Sequence, residues 1–230
     1  MAPLVTSQSY NFAPSLGEVV LNAFARIQVR RTELEVSHMQ DARNEANFLL
    51  AKFANERGVN LWAVDLQSVP LIQGQATYSV PGETVMMLDA YISVGTIDRM
   101  IFPVSRSEYA SYSNKTTQAF PTVFWFDRLI SPTFTLFPVP DGNGPYTLRY
   151  YRVRQPQDAD YALGQNIEIP YLWLDAFAAG LAHRLSRIYS PQLEQIRKMD
   201  ADEAWNLAAT QNTENVPMMI IPSLGGYYRA

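Results

Sequence analysis

The sequence predicts an α+β protein in which helices from both ends of the chain pack together around a β-rich middle. Three observations predict this class. Apolar residues recur at intervals of three and four before residue 58 and again after residue 170, as on one face of a helix. Between them lie short runs rich in Val, Ile, Thr, Tyr and Phe. Prolines separate these runs, which favours short strands over a long flat sheet.

These patterns divide the chain into three parts. We expect a helical bundle from residues 1–58 and 156–215, an inserted antiparallel β-sandwich or barrel-like domain over 59–155, and an extended C-terminal arm over 216–230. At 230 residues the chain is long enough to bury a core without disulfides or a structural metal.

The first two helices are predicted before the β-rich middle. Ser15 and Glu18 have the spacing of a capping box, and an apolar stripe follows, so the first helix should cover residues 16–30. Thr32 begins a second such box, which places the second helix at 33–57. The two helices are consecutive and could form a hairpin.

The β-rich middle contains six strand candidates and one short apolar run at 61–66. The candidates are residues 74–81, 85–94, 98–104, 122–127, 133–138 and 146–154. A tight turn at 141–144 is predicted to join the last two as antiparallel neighbours. Residues 105–121 should form a long loop or a short helix.

The helical period returns after Pro170. Stripes predict one helix up to residue 189 and another from Pro191 to about residue 210. The buried face of the last helix is predicted to contain Leu193, Ile196, Ala204, Leu207 and Ala208. Asp200 falls on the same face, where it would pair with an arginine of a neighbouring helix or act as a functional acid.

The last fifteen residues, 216–230, are apolar and contain two prolines and a Gly-Gly pair. They cannot continue a helix, and an exposed segment of this kind would promote adhesion. We therefore expect burial against a partner, a neighbouring copy or the body of the chain itself. The residues predicted to bind a partner are Val216, Pro217, Met218, Met219, Ile220, Ile221, Leu224, Tyr227, Tyr228 and Arg229.

The composition excludes several kinds of chemistry. The chain has no cysteine, which excludes disulfides, thiolate zinc sites and a cysteine nucleophile. Its two histidines, His38 and His183, are far apart and are predicted to lie on helix faces. No phosphate-binding glycine loop, dinucleotide fingerprint or nucleophile elbow is present. We therefore predict no catalytic, cofactor-binding or metal-ligating residue, although a carboxylate pair drawn from distant positions would remain compatible with a hydrolase.

Charge and aromatic residues narrow the possible partners. A net charge of −4 argues against a chain that grips nucleic acid. No stretch approaches the ~20 apolar residues that span a bilayer, and the N-terminus resembles no secretory signal, so we expect synthesis in the cytoplasm and no membrane partner. A cluster in the β-rich middle could stack sugars or bases, or be partly core. It consists of Phe120, Phe124, Trp125 and Phe126.

Five segments of the middle form a recognisable series. They are Gly74–Pro81, Ser107–Tyr109, Phe120–Arg128, Thr135–Asp141 and Tyr146–Arg152. With the flanking helices, over residues 15–210, this series resembles the head-to-tail adaptor family of short-tailed bacteriophages, the tail tubular protein A-like connectors.

The resemblance implies a non-enzymatic structural protein at the head-to-tail junction of the virion. Copies of it would form a ring, twelvefold by resemblance, that joins the portal vertex to the tail and lines the DNA exit channel. Double-stranded DNA would pass through without sequence-specific binding. The helices would meet the portal protein, the β part would meet the tail nozzle or fibre proteins, and the arm at 216–230 would dock on the portal or a neighbouring copy. The alternative is a β-domain binding module that recognises a glycan or a tail fibre or nozzle protein.

Overall fold

The computed structural model describes residues 9–55, 61–161 and 165–213, and it confirms the α+β class. Its α-helices are α1 (Leu16–Arg26), α2 (Val36–Asn55), α3 (Arg106–Ser111), α4 (Leu174–Tyr189) and α5 (Glu194–Gln211). Its strands are β1 (Val64–Pro70), β2 (Thr77–Ser79), β3 (Thr84–Val94), β4 (Ile97–Pro103), β5 (Val123–Asp127), β6 (Thr133–Phe137) and β7 (Thr147–Arg154). None of the helices in the described ranges is long and apolar enough to cross a membrane.

Helix α1 begins as the sequence predicts and ends earlier. The Ser15 side chain accepts a hydrogen bond from the Glu18 amide, and the Glu18 carboxylate accepts one from the Ser15 amide at 2.8 Å. The helix stops at Arg26 because Gln28 takes a left-handed conformation, with φ of 66°. The amide of the next residue then closes the last turn on the Phe24 carbonyl, as at many helix ends.

Helix α2 begins three residues later than predicted, and the expected capping box at Thr32 is wrong. A short 3-10 helix occupies Arg31–Glu33 instead. The chain then reaches α2 at Val36, and the amide of Glu35 donates to Nδ1 of His38 at 3.2 Å. The histidine ring, at the third helical position, thus accepts the amide of the residue before the helix, a role that Glu or Gln takes in a capping box.

All seven strands belong to one curled sheet in the order β1-β7-β3-β4-β5-β6-β2. The ladders are antiparallel except for β4 and β5, which are parallel where Phe102 meets Val123. The predicted hairpin between β6 and β7 is wrong, because these strands are not neighbours. The turn does form, with the Tyr146 hydroxyl donating to Asp141 at 2.7 Å. This turn redirects the chain towards β1. The Leu71 amide donates a hydrogen bond to the Tyr146 carbonyl, next to the β1–β7 ladder.

The described residues bury two apolar cores. One lies among the helices, where α4 contacts α1, α2 and α5, and it is rich in alanine. The other lines the inner face of the sheet and contains large rings such as Phe124, Phe134 and Tyr150. The division of the chain into a bundle, an inserted domain and an arm at the predicted boundaries remains a prediction.

Candidate functional site

The ten residues predicted to bind a partner, between positions 216 and 229, lie outside the described residues. The described part still shows where the chain leaves α5. The Asn212 side chain accepts a hydrogen bond from the Leu61 amide at 3.0 Å, so the end of α5 lies against the chain just before β1. The candidate interfaces described below are therefore surfaces of the helices and the sheet.

Helix α5 carries an exposed apolar face that the sequence pattern assigned to the core. Its buried residues are Ala201, Ala204 and Ala208. Ile196 and Leu207, predicted to be buried, are 50% and 66% exposed. The alanine face lets α5 pack closely on α4, and this turns the larger side chains outward. We call Ile196, Leu207 and the equally exposed Met199 the α5 face.

A second exposed apolar surface lies on the side of the sheet away from its core. Register places Leu66 opposite Tyr151 and Tyr91 opposite Met100, so each pair shares one side of the sheet. Phe102 lies two residues beyond Met100 on the same side. Leu66, Met100, Phe102 and Tyr151 are between 41% and 60% exposed. We call Leu66, Tyr91, Met100, Phe102 and Tyr151 the outer sheet face. An exposed apolar band of this kind is typical of an interaction surface.

Near the end of β7, where the chain leaves the sheet, lies a network of ion pairs centred on Arg152, whose side chain is 4% exposed. Its guanidinium donates to Asp65 at 2.8 Å, to Glu83 at 3.0 Å and to the Thr84 hydroxyl at 2.8 Å. The hydrogen bond from Arg152 holds the pKa of Asp65 below its usual value. The pKa of Glu83 is lowered by a bond to its own backbone amide and then by Arg152.

The network continues towards the helices through Arg154 and Glu168. The Arg154 guanidinium donates to Glu168 at 2.8 Å, and this bond lowers the pKa of that carboxyl. Glu168 also accepts the Gln157 amide at 2.8 Å, which fixes the chain leaving β7. Because these carboxylates are held ionised by arginines, their arrangement suits a structural joint and offers no raised-pKa acid for catalysis.

The chain after β7 is fastened to α2 by side-chain bonds. Asn47 donates to the Ala159 carbonyl at 3.1 Å and accepts the Ala159 amide at 2.8 Å. The Tyr161 hydroxyl donates to the Met39 carbonyl at 2.9 Å. Burial raises the pKa of Tyr161 to about 12, so the phenol stays a neutral donor. These polar contacts join the sheet to the helices. We call them, together with the Arg152 network, the junction.

The predicted aromatic cluster is divided between the two sides of the sheet. Phe124 is 1% exposed and belongs to the sheet core. Trp125 points to the other side, where Tyr109 of α3 stacks on it at 5.5 Å between ring centroids. Phe120 meets the edge of Tyr146 at 5.6 Å. The cluster therefore does not form one open stacking platform for a sugar or a base.

The polar residues singled out from the sequence have structural partners. His38 stacks on Tyr189 at 4.7 Å between ring centroids. Asp200 pairs at 3.0 Å with Arg197, three residues earlier on α5, and not with an arginine of a neighbouring helix as predicted. Within the described ranges no group of three or more His, Cys, Asp and Glu side chains could hold a metal ion.

Positive charge collects in one pocket of about 340 Å³ between α2, α4 and α5. Lys52, Arg184, Arg187 and Lys198 line it, with Asp202 as an acidic member. Arg184 is paired with Glu45, and Arg187 with Glu194. Burial, followed by the charge of Arg187, lowers the pKa of His183 in the same pocket, so this ring is neutral at pH 7. The net −4 charge of the chain gave no sign of this basic site.

The described residues thus form two exposed apolar surfaces, two cores and a polar junction, an arrangement that suits binding to other proteins. Comparison with known proteins agrees. The SU10 adaptor protein family matches residues 16–217, which include every helix and strand described above. No curated protein matches the sequence. The chain thus belongs to the SU10 adaptor protein family and is a structural adaptor of a bacteriophage virion.

Proposed function

We propose that this chain is one subunit of a ring that joins the portal vertex to the tail and surrounds the DNA exit channel. The observation that carries the proposal is that each core has its own exposed apolar surface, the α5 face on the helices and the outer sheet face on the sheet. An adaptor must hold two partners at once, and two separate surfaces of this kind supply two docking sites.

The helices would meet the portal, and the sheet would meet the tail nozzle or fibre proteins. On the helical side the α5 face supplies apolar contact, and the basic pocket at Lys52 and Lys198 suits acidic side chains of a portal. On the sheet side the exposed rings of Tyr151 and Phe102 are the residue types that interfaces favour. The arm at 216–230 would strengthen docking on the portal or a neighbouring copy.

Passage of DNA without specific binding follows from the charge of the chain. Each Lys or Arg that contacts a phosphate adds salt-dependent affinity to a DNA complex. Here the basic residues are outnumbered, 18 against 22 acidic ones, and several arginines are already paired with carboxylates. A channel wall built from such a chain would contact DNA weakly and let it slide.

The test is electron microscopy of the purified chain mixed with the portal of the same phage. We expect a ring of twelve copies on the portal vertex. The variant Met199→Asp/Leu207→Asp should lose this attachment, while Met100→Asp/Phe102→Asp should keep the ring and lose the next tail protein. Ile130→Asp, at a fully exposed position of the β5–β6 turn, is the matched control and should change neither. Absence of any ring with the unaltered chain would overturn the proposal.

The arm is tested separately. Deletion of residues 216–230 should leave the monomer folded and weaken ring assembly or attachment to the portal. Circular dichroism checks the fold, and microscopy counts occupied vertices at a series of protein concentrations. Unchanged occupancy at the lowest concentration would show that the arm has no part in docking.

A further inference from the structure

The sheet has one long edge whose outer side has no partner strand among the described residues. Strand β1 is the first in the order and pairs with β7 on its inner side. It has seven residues, whereas β2 at the other edge has three. In an edge strand the backbone amides and carbonyls that point away from the sheet form a template for a further strand.

Strand β1 has little of the protection that edge strands usually carry. Natural edges are blunted by charged side chains, prolines, bulges or short length. In β1 the single charged residue, Asp65, forms an ion pair with Arg152 at 2.8 Å. The single proline, Pro70, is the last residue of the strand. The register with β7 runs without a bulge from Val64 to Pro70.

The chain leaves α5 beside the start of this strand. The hydrogen bond from the Leu61 amide to Asn212 places the last turn of α5 three residues before Val64. Residues 214–230 follow directly. A segment that continues from this point reaches the first residue of β1 within a few residues, since extended chain covers about 3.3 Å per residue.

The sequence that follows suits a β-strand. Residues 216–222 read Val-Pro-Met-Met-Ile-Ile-Pro, and positions 215–228 carry no charge. Seven extended residues match the seven of β1 in length. We propose that residues 216–222 of this chain add to the open edge of its own β1 as an additional strand, parallel to β1 because it starts beside Val64.

The two prolines make this pairing exchangeable. Pro217 and Pro222 have no amide to donate, so the ladder with β1 is limited to the four residues between them. A ladder this short is weak enough to be displaced. The inference goes beyond the proposed ring function: it says where the apolar arm lies in the monomer before a portal is present.

The absence of cysteine from the chain permits a clean cross-linking test. In the full chain, Met219→Cys is combined in turn with Gln67→Cys and Ser68→Cys, whose side chains lie on opposite sides of β1. We expect one of these pairs to form a disulfide within the monomer under mild oxidation, at a rate independent of protein concentration. The matched control, Met219→Cys with Thr77→Cys on the edge strand β2, should stay reduced.

Hydrogen exchange gives a second test that adds no cysteine. In the full chain, Ile220→Pro should make the β1 amides that point outward exchange at least about tenfold faster, because their partners are lost. Leu224→Pro, outside the proposed strand, is the control and should leave them unchanged.

Three results would overturn the inference. They are equal exchange in the two proline variants, cross-linking at β2 as fast as at β1, and a disulfide that forms only between two chains, which would assign the edge to a neighbouring copy. Both tests use the monomer without portal. The ring proposal would therefore survive their failure, and failure of the ring would leave them unaffected.

Discussion

The helical core and the sheet core are built from different side chains. Alanine is the commonest residue of the helical core, and α4 also buries Gly180. The sheet core of the described residues contains one alanine, Ala90. Small residues let helices approach closely. The curled sheet encloses a wider space that rings such as Phe134 fill. The helical core should therefore be sensitive to enlargement and the sheet core to truncation.

The largest effect is expected from Phe134→Ala in the sheet core. Phe134 is fully buried and stacks on Tyr78 at 5.2 Å between ring centroids. Its truncation removes the ring and leaves a cavity, so the free energy of unfolding should fall by about 3–5 kcal/mol. Urea denaturation measures this. Ile130→Ala, at a fully exposed position, should change it by less than about 0.5 kcal/mol. A loss below about 1 kcal/mol in Phe134→Ala would show that the sheet core is loosely packed.

The junction tests whether the two cores unfold together. Arg152→Met keeps most of the buried stem and removes the charge that Asp65 and Glu83 share. Loss of one partner of a buried pair costs about 3–5 kcal/mol, but Asp65 and Glu83 are 33% and 44% exposed and can recover water, so we expect about 2–3 kcal/mol. Arg149→Met, at an exposed position three residues earlier on β7 and opposite Ser68 of β1, is the control.

The number of unfolding transitions tests this coupling directly. If the junction couples the cores, we expect the fluorescence and far-ultraviolet unfolding curves to coincide in the unaltered protein and to separate in Arg152→Met. Coincident curves with an unchanged midpoint would show that the network contributes nothing to coupling.

The third prediction tests the helical core, which should be sensitive to an enlarged side chain. A Cβ atom at Gly180 would lie 3.1 Å from Cδ2 of Leu49 on α2, and Leu49 is 2% exposed. Gly180→Val should therefore overpack the helical core and cost about 1–3 kcal/mol. At Gly17 of α1 the nearest atom to a new Cβ is 4.0 Å away. Gly17→Ala should instead stabilise by up to about 1 kcal/mol, since alanine favours helix more than glycine does. Thermal denaturation distinguishes the two signs, and a stabilising Gly180→Val would contradict the close approach of α2 and α4.

The sequence predicted most of the elements because they depend on local signals. The Ser15 capping box and the stripe of α1 are both found, and α4 follows its stripe as well. The first helix was extended too far because no signal marks a left-handed glutamine such as Gln28. The strand β1 was seen only as an apolar run, since its polar residues at positions 65, 67 and 68 obscure the alternation.

The pairing of strands and the exposed surfaces could not be predicted from local patterns. The turn at Asp141 has the composition of a hairpin, but the competing ladder between β1 and β7 takes the second strand away from β6. In α5 the stripe of Ile196 and Leu207 has helical spacing, which shows that one face is apolar but not which face packs. The small residues Ala201 and Ala204 pack against the helical core. The larger Ile196 and Leu207 remain exposed and form part of a candidate interface.

The smallest expected effect concerns acid stability at the junction. The hydrogen bond from Arg154 lowers the pKa of Glu168, so the folded state binds this proton more weakly than the unfolded state does. The resulting stability is present above the unfolded pKa of about 4.3 and is lost as the pH falls through the folded pKa. Because Glu168 is 28% exposed, Glu168→Gln should cost about 1 kcal/mol or less at pH 7.

The difference between Glu168→Gln and the unaltered protein should therefore shrink as the pH falls below about 5, where the Glu168 carboxyl of the unfolded state begins to take up its proton while that of the folded state remains ionised. Melting temperatures measured from pH 7 to pH 3 test this. Glu203→Gln, at an exposed position of α5, is the control and should run parallel to the unaltered protein throughout. A difference that stays constant with pH would mean that the Glu168 carboxylate stabilises the junction by its shape and hydrogen bonds alone, and that the two cores are not joined by charge at this point.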